Sequence, residues 1–268
     1  MNLQELKKCN LGITHNGLFH ADDVFSAAFL KLINPNIKII RTSDSSKYDG
    51  LKFDIGLGEF DHHMVNNEVR DNGVPYASFG KLWKKFAPLI YGDYVYEKID
   101  KHLVQNIDYS DNTGNADTLS YAISSFNDFT GVSNGDLEFI KAVDFASILL
   151  SNMINNEIRN LNDEKMVIDM YKKSKNKKIL VLNRYLHFKD SLPNTEVTYV
   201  IYPSKRGGYL AQAVTINSDT TKLKKPFPKK WLKELPTNLT FCHQTRFLIG
   251  SNDLNDIINA CELSLKEE

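Results

Sequence analysis

The sequence predicts an α/β protein in two parts: a mostly parallel N-terminal sheet domain and a smaller mixed α/β C-terminal domain. Three observations carry the α/β prediction. β-branched or apolar runs alternate with helical spacings through the first half; a charged segment, Lys172 to Lys178, follows a long helical stretch; and beyond it strand-like runs precede one closing helix. Strands that alternate with helices favour parallel pairing, because each crossover helix covers a face of the sheet.

Leu11 to Thr14 reads as a strand that breaks at His15-Asn16-Gly17. Asp22 to Ile33 follows with helical spacing through Val24, Ala27, Ala28 and Leu30. Ile37 to Ile40 is a second strand, and Leu51 to Leu57 a third, interrupted by Asp54. Tyr76 to Phe86 and Tyr94 to Ile107 read as helices, the second delivering Asp108, Asp111 and Asn112 at its C-terminal end. Asp136 to Lys173 is mostly helical. Ile179 to Leu182, Thr198 to Tyr202, Leu210 to Thr215 and Leu239 to Phe241 read as strands, and Asp253 to Leu265 closes the chain as a helix. The expected domains are 1–150, a metal-binding catalytic part; 151–178, a helical connector; and 179–268, a substrate-binding part.

Composition excludes several classes. Among 268 residues, 33 basic and 33 acidic side chains cancel, so no global field draws the protein to nucleic acid or an acidic membrane. Cys9, Cys242 and Cys261 are too few and scattered for a disulfide framework. No stretch approaches the roughly 20 apolar residues of a membrane span, and Met1 to Asn10 lacks the apolar core of a signal peptide. A cytoplasmic protein is expected.

The polar residues at strand ends carry the chemistry. Asp61-His62-His63 follows the third strand, and His15, His20, Asp22 and Asp23 cluster after the first. In open α/β sheets ligands bind beyond the carboxyl ends of the strands, and carboxylates with neutral imidazoles are ligands of divalent metals. Two readings stand for Asp22 and Asp23, ligands or caps of the helix they open. The spacing lets His20 and Asp22 face one site, which leaves Asp23 as the cap. No Gly-x-Ser-x-Gly elbow or nearby Cys supports covalent catalysis.

Thr14-His15-Asn16-Gly17-Leu18-Phe19-His20-Ala21-Asp22-Asp23, then Asp54, Asp61-His62-His63 and Asp108-Tyr109-Ser110-Asp111-Asn112, together resemble the MYG1 family, a relative of the DHH phosphoesterases. Tyr199-Val200-Ile201-Tyr202, Phe227-Pro228-Lys229-Lys230-Trp231, Phe241-Cys242-His243 and Phe247-Leu248-Ile249-Gly250 extend the likeness over nearly the whole chain. The resemblance implies a DHH-like N-terminal domain and a metal-dependent phosphoesterase, with 3′ to 5′ exonuclease action on RNA or short oligonucleotides. It implies two divalent ions, Mn²⁺ foremost, one on His15, His20 and Asp54 and the other on Asp22, Asp54, His62 and Asp111. Asp54 bridges them in this scheme, His63 faces the substrate, and Asp61 orients the histidines. His20 replaces a carboxylate common in the wider superfamily, which leaves Zn²⁺, Co²⁺ and Fe²⁺ open. Asp108 is either a ligand or a hydrogen-bond partner near a helix end.

In the second half, Lys222 to Lys233 with Phe227 and Trp231 has two readings. It follows a phosphate backbone and stacks a base, or it is a solvated loop whose aromatics dock on the core. His243 and Arg246 are expected to grip substrate phosphate. Alternatives to the nuclease are a small-molecule phosphatase or pyrophosphatase, and a non-catalytic nucleotide-binding protein.

Overall fold

Leu11–His15 forms the central strand β1 of a three-stranded sheet in the computed structural model, which describes residues 1–64 and 67–267. It pairs in parallel with β2 (Lys38–Thr42) on one side and β3 (Leu51–Lys52) on the other. A short helix α1 (Leu3–Lys8), unread in the sequence, precedes β1. Asn34 holds it by donating to the carbonyls of Leu6 and Cys9 at 3.1 and 2.7 Å. Helix α2 (Ala21–Ile33) is buried almost throughout, from Val24 and Phe25 to Phe29 and Leu30. It stops at Asn34, as the following Pro35 requires, because a residue before proline is pushed out of helical geometry.

β3 is shorter than the run Leu51 to Leu57 led one to expect. Asp54 takes φ +55° and Leu57 φ +56°, so the chain turns back on itself and Asp54 N–H donates to Phe60 O at 3.0 Å. Asp is among the few residues that tolerate this left-handed region. The turn ends the strand and re-aims the Asp54 carboxylate.

Helix α3 (Ser78–Tyr91) begins without a cap of its own. Asp22 supplies it from α2, accepting the N–H groups of Ser78 at 3.0 Å and Phe79 at 2.7 Å. The helical run beyond Gly92 passes through α4 (Asp93–Ile99), a π-helical segment Asp100–Val104, and α5 (Gln105–Thr113). It continues past the expected end at Ile107 because its stop is Gly114, left-handed at φ 72°. Asp108 and Asp111 therefore stand on the helix rather than after it. α6 (Thr118–Ser124), also unread in the sequence, and α7 (Asp136–Lys173) follow.

Two compact units divide the chain, Met1–Ile158 and Arg159–Glu268. The second holds a five-stranded mixed sheet in the order β4-β5-β6-β8-β7. β4 (Ile179–Val181) runs parallel to β5 (Tyr199–Pro203); β6 (Tyr209–Ala213), β8 (Leu248–Ser251) and β7 (Phe241–Cys242) are antiparallel. β8 escaped sequence reading because it is four residues long and contains Gly250. One core packs Tyr199, Ile201, Ala211 and Ile249 with Ile257 and Cys261 of α8 (Leu254–Lys266). Another packs Val200, Tyr202 and Val214 with Leu186, Phe188 and Leu192. Among the described residues no helix is long and apolar enough to cross a membrane.

Candidate metal centre

The strand order puts β1 between β2 and β3, so the loops after β1 and β3 leave the sheet at a switch in its winding, where open α/β sheets bind ligands. His15 ends β1 and Asp54 lies just past β3. His15 Nε2 is 3.2 Å from one oxygen of Asp54, and His62 Nε2 is 3.1 Å from the other. His62 Nε2 also lies 3.0 Å from Asp111 Oδ2, and His15 Nε2 3.4 Å from Asp23 Oδ2. Among the described residues of the first unit, three groups have ligand atoms within 4.8 Å of one another: His15, Asp23 and Asp54; Asp54, His62 and His63; Asp22, His62 and Asp111. Asp54 and His62, each shared by two groups, join them. A cavity of about 740 Å³ opens over His15, Asp54, His62, His63 and Asp111.

Charge explains why these side chains stay together. Burial alone would lower the His15 pKa, but the hydrogen bond to Asp54 and the charge of Asp23 raise it to about 9. His62, likewise opposed by burial, is raised to about 11 by Asp111 and Asp54. Burial pushes Asp23 to about 7 against the pull of His15. Asp22 is raised well above the carboxylate range by burial and by the charges of Asp54 and Asp111. Asp54 and Asp111 are held low by their imidazole partners in spite of burial. The pocket thus demands positive charge, which protonated imidazoles supply and a divalent ion could replace. The donor set fits such an ion in one further respect: Asp23 Oδ2 is buried without a hydrogen bond.

Asp23 caps the helix and keeps one oxygen toward His15. Its Oδ1 accepts the His20 N–H at 2.8 Å as a helix cap, while Oδ2 faces His15. Asp22 spends acceptor capacity on α3 yet stays within ligand reach of His62 and Asp111. His20 faces Asp111 at 3.4 Å, with its side chain 62% exposed, rather than Asp54. Asp61 orients one histidine of its pair: Oδ1 lies 2.7 Å from His63 Nδ1, and Oδ2 accepts the Leu57 N–H at 2.7 Å. The His63 side chain is 58% exposed at the cavity.

His62 is oriented by Asn112, which sequence reasoning placed beside the site without a role. Asn112 donates to Asp108 O at 2.8 Å and turns its own Oδ1 to His62 Nδ1 at 3.3 Å. That leaves Nε2 directed at Asp54 and Asp111. The only clue in the sequence was its place next to Asp111.

Asp108 belongs to the scaffold. It pairs with Arg70 at 2.7 Å and accepts the Gly80 N–H at 3.1 Å, while Arg70 also holds Asp100 at 2.8 Å. A Cβ at Gly80 would fall on the Asp108 carboxylate, so helix α3 needs glycine there.

In the second unit the base-stacking reading of the lysine-rich run is overturned. Phe227 and Trp231 are buried, with Phe227 stacked on Tyr199 at 4.5 Å. Lys224 Nζ donates to the carbonyls of Leu192, Thr195 and Val197 at 2.6 to 3.0 Å, and Lys225 donates to those of Leu265 and Glu267. Two of the cations are thereby spent on backbone. Arg246, at φ +59°, donates to Phe227 O at 3.2 Å, and His243 Nδ1 lies 2.9 Å from Thr245 Oγ1 on an exposed turn.

The crystal structure of RecJ in complex with Mg²⁺ from Thermus thermophilus aligns with a TM-score of 0.32 and 12% identity, over 98% of this chain and 50% of that one. The chain thus spans half the length of RecJ, and the likeness is too distant to carry chemistry across. The MYG1 protein of Chlamydia muridarum (strain MoPn / Nigg) is 25% identical over 95% of this chain and 96% of its own length. That of Saccharomyces cerevisiae is 22% identical over 94% of each. The family model MYG1_exonuc, described as "Uncharacterised protein family (UPF0160)", matches residues 12–265. With its motifs in order from β1 to β8, the chain belongs to the MYG1 family.

Proposed function

We propose that this protein is a metal-dependent phosphoesterase that hydrolyses phosphodiester bonds, removing nucleotides from the 3′ end of RNA or short oligonucleotides. One observation carries the reading: the buried Asp54 carboxylate lies between His15 and His62, one oxygen to each. Among the described residues no backbone N–H reaches that side chain. A carboxylate that opposes two imidazoles in this way is suited to join two cations. The family model's name points the same way.

His15, Asp23 and Asp54 would hold one divalent ion, and Asp22, Asp54, His62 and Asp111 the other, with His20 closing the rim beside Asp111. Mn²⁺ suits this mixed nitrogen and oxygen set. Held there, divalent ions would supply a lowered pKa for a bound water and neutralise charge on the phosphate. The protein's own groups then position the reaction. Asn112 keeps His62 Nε2 turned inward. Asp61 holds His63 at the open side of the cavity, where the imidazole can donate a proton to the leaving oxygen. The second unit would bind substrate, with His243 and Arg246 on its phosphates.

The test is hydrolysis of a 5′-labelled short RNA with Mn²⁺. Stepwise shortening from the 3′ end is expected, abolished by chelator and by Asp54→Asn. Wild type no faster than Asp54→Asn, across metals and substrates, would overturn the reading.

A further inference from the structure

The second unit contains a cavity of about 540 Å³, inside the range of roughly 300–1,000 Å³ typical of small-molecule sites. It opens on the sheet face where Val200, Leu210 and Val214 meet the apolar segment around Leu186 and Leu192. Within that apolar face β6 places one amide, Gln212, opposite Val200 in register. Its Oε1 accepts the Tyr202 hydroxyl at 2.9 Å. Burial raises the Tyr202 phenol to about 12, so the hydroxyl remains a donor. An amide on an apolar face is costly unless its hydrogen-bonding capacity is used, and Gln212 lines the cavity.

Around that amide stand three aromatic rings, Tyr185, Phe188 and Phe247, with Thr221 and Lys189 also lining the space. Tyr185 packs edge-on against Tyr202 at 5.0 Å, which fixes its ring, yet the residue stays 50% exposed. A rigid, half-exposed ring at a cavity wall is a stacking platform. A lipid chain would gain nothing from an amide, a hydroxyl and an ammonium in its pocket. A sugar or bare phosphate would not need three rings. A planar heterocycle with a hydrogen-bonding edge and an attached anion uses both sets.

We infer that this cavity is a nucleobase pocket, which takes the base of a ribonucleoside monophosphate between Tyr185 and Phe247, with Gln212 on its edge and Lys189 toward its phosphate. The choice of a nucleotide as occupant rests on the function proposed above. The pocket itself rests on the geometry of the second unit alone.

The test is calorimetric titration of the full-length, chelator-treated protein with AMP, CMP, ribose 5-phosphate and inorganic phosphate. AMP and CMP should bind about tenfold or more tighter than the two baseless ligands, the scale of one stacked base. Gln212→Leu and Tyr185→Leu should each weaken AMP binding by about tenfold, with melting temperatures showing that both variants fold. A variant that fails to fold is replaced by hydrogen exchange on wild type, where AMP should protect 185–188 and 245–247. Nucleotide affinity no better than that of ribose 5-phosphate, affinity unmoved by both substitutions, or no protection of those segments would overturn the pocket. A parallel assay on bis(p-nitrophenyl) phosphate with Mn²⁺ separates the two ideas. Hydrolysis without nucleotide binding overturns the pocket alone, whereas nucleotide binding without hydrolysis overturns the phosphoesterase and supports the pocket.

Discussion

Among the described residues, carboxylate and imidazole cluster with the dimensions of a metal site in each unit, and the two places differ in what their buried carboxylate touches. In the second unit Glu164, His187 and Asp190 bring ligand atoms within 4.8 Å. Glu164 accepts the N–H groups of Asp190 at 2.9 Å and Ser191 at 3.0 Å, and the Ser191 hydroxyl as well. Its oxygens are committed to shaping a turn, and His187 stands off at 3.5 Å. Asp54 in the first unit meets His15 and His62 instead. A carboxylate saturated by backbone donors is already neutralised by the fold, whereas one that faces imidazoles draws its compensation from groups that can exchange a proton for a metal. Proximity of ligand types alone does not separate the two cases.

Asp54→Asn is therefore the sharpest way to break the contrast. It should abolish hydrolysis, beyond the roughly 10–100-fold that loss of an outer partner costs, and remove the rise in melting temperature that Mn²⁺ gives the wild type. A variant that keeps both would place Asp54 with Glu164 as a scaffold residue. Asn112→Ala comes next. Without its acceptor for Nδ1, His62 loses its fixed orientation, and Mn²⁺ affinity should fall about 10–100-fold while the fold persists. Unchanged affinity by metal titration would mean that Asp54 and Asp111 alone aim the ring.

Glu164→Gln should do the reverse of both. An amide nitrogen would face backbone N–H donors, at a cost of about 1–3 kcal/mol in urea unfolding, with hydrolysis and the Mn²⁺ shift intact. A loss of metal response in this variant would make the second cluster a site.

The contrast also shows what could be read from the chain and what could not. The order of His15, His20, Asp22, Asp54, His62 and Asp111 along alternating strands and helices was legible, because strand ends and ligand types are local properties. The double duty of Asp22 was not, since its donors Ser78 and Phe79 lie 56 and 57 residues away. Nor was Asn112, whose role depends on a histidine 50 residues off. Leu51 to Leu57 misled because its apolar pattern continues through Asp54, while the left-handed backbone that turns the chain leaves no mark in hydrophobicity. Phe227 and Trp231 look the same in sequence whether they stack on a base or, as here, Phe227 on Tyr199 and Trp231 on Phe227.

The smallest expected effect is on the pH dependence of the metal-free protein. His15 has a folded pKa of about 9 against 6.5 for a free side chain, since the hydrogen bond to Asp54 and the charge of Asp23 outweigh burial. A folded pKa above the unfolded one means that the native state binds the proton more tightly. The stabilisation is complete below pH 6.5 and fades as pH rises through about 9. In chelator, the stability advantage of wild type over His15→Gln should therefore shrink between those limits. Added Mn²⁺ should act in the opposite direction, because the ion displaces the same protons and binds more tightly as they leave. Its increment in melting temperature should grow over that interval. A wild-type advantage that rises with pH in chelator would show that the fold favours the neutral His15 imidazole, and a Mn²⁺ increment that falls with pH would show that the ion does not displace those protons.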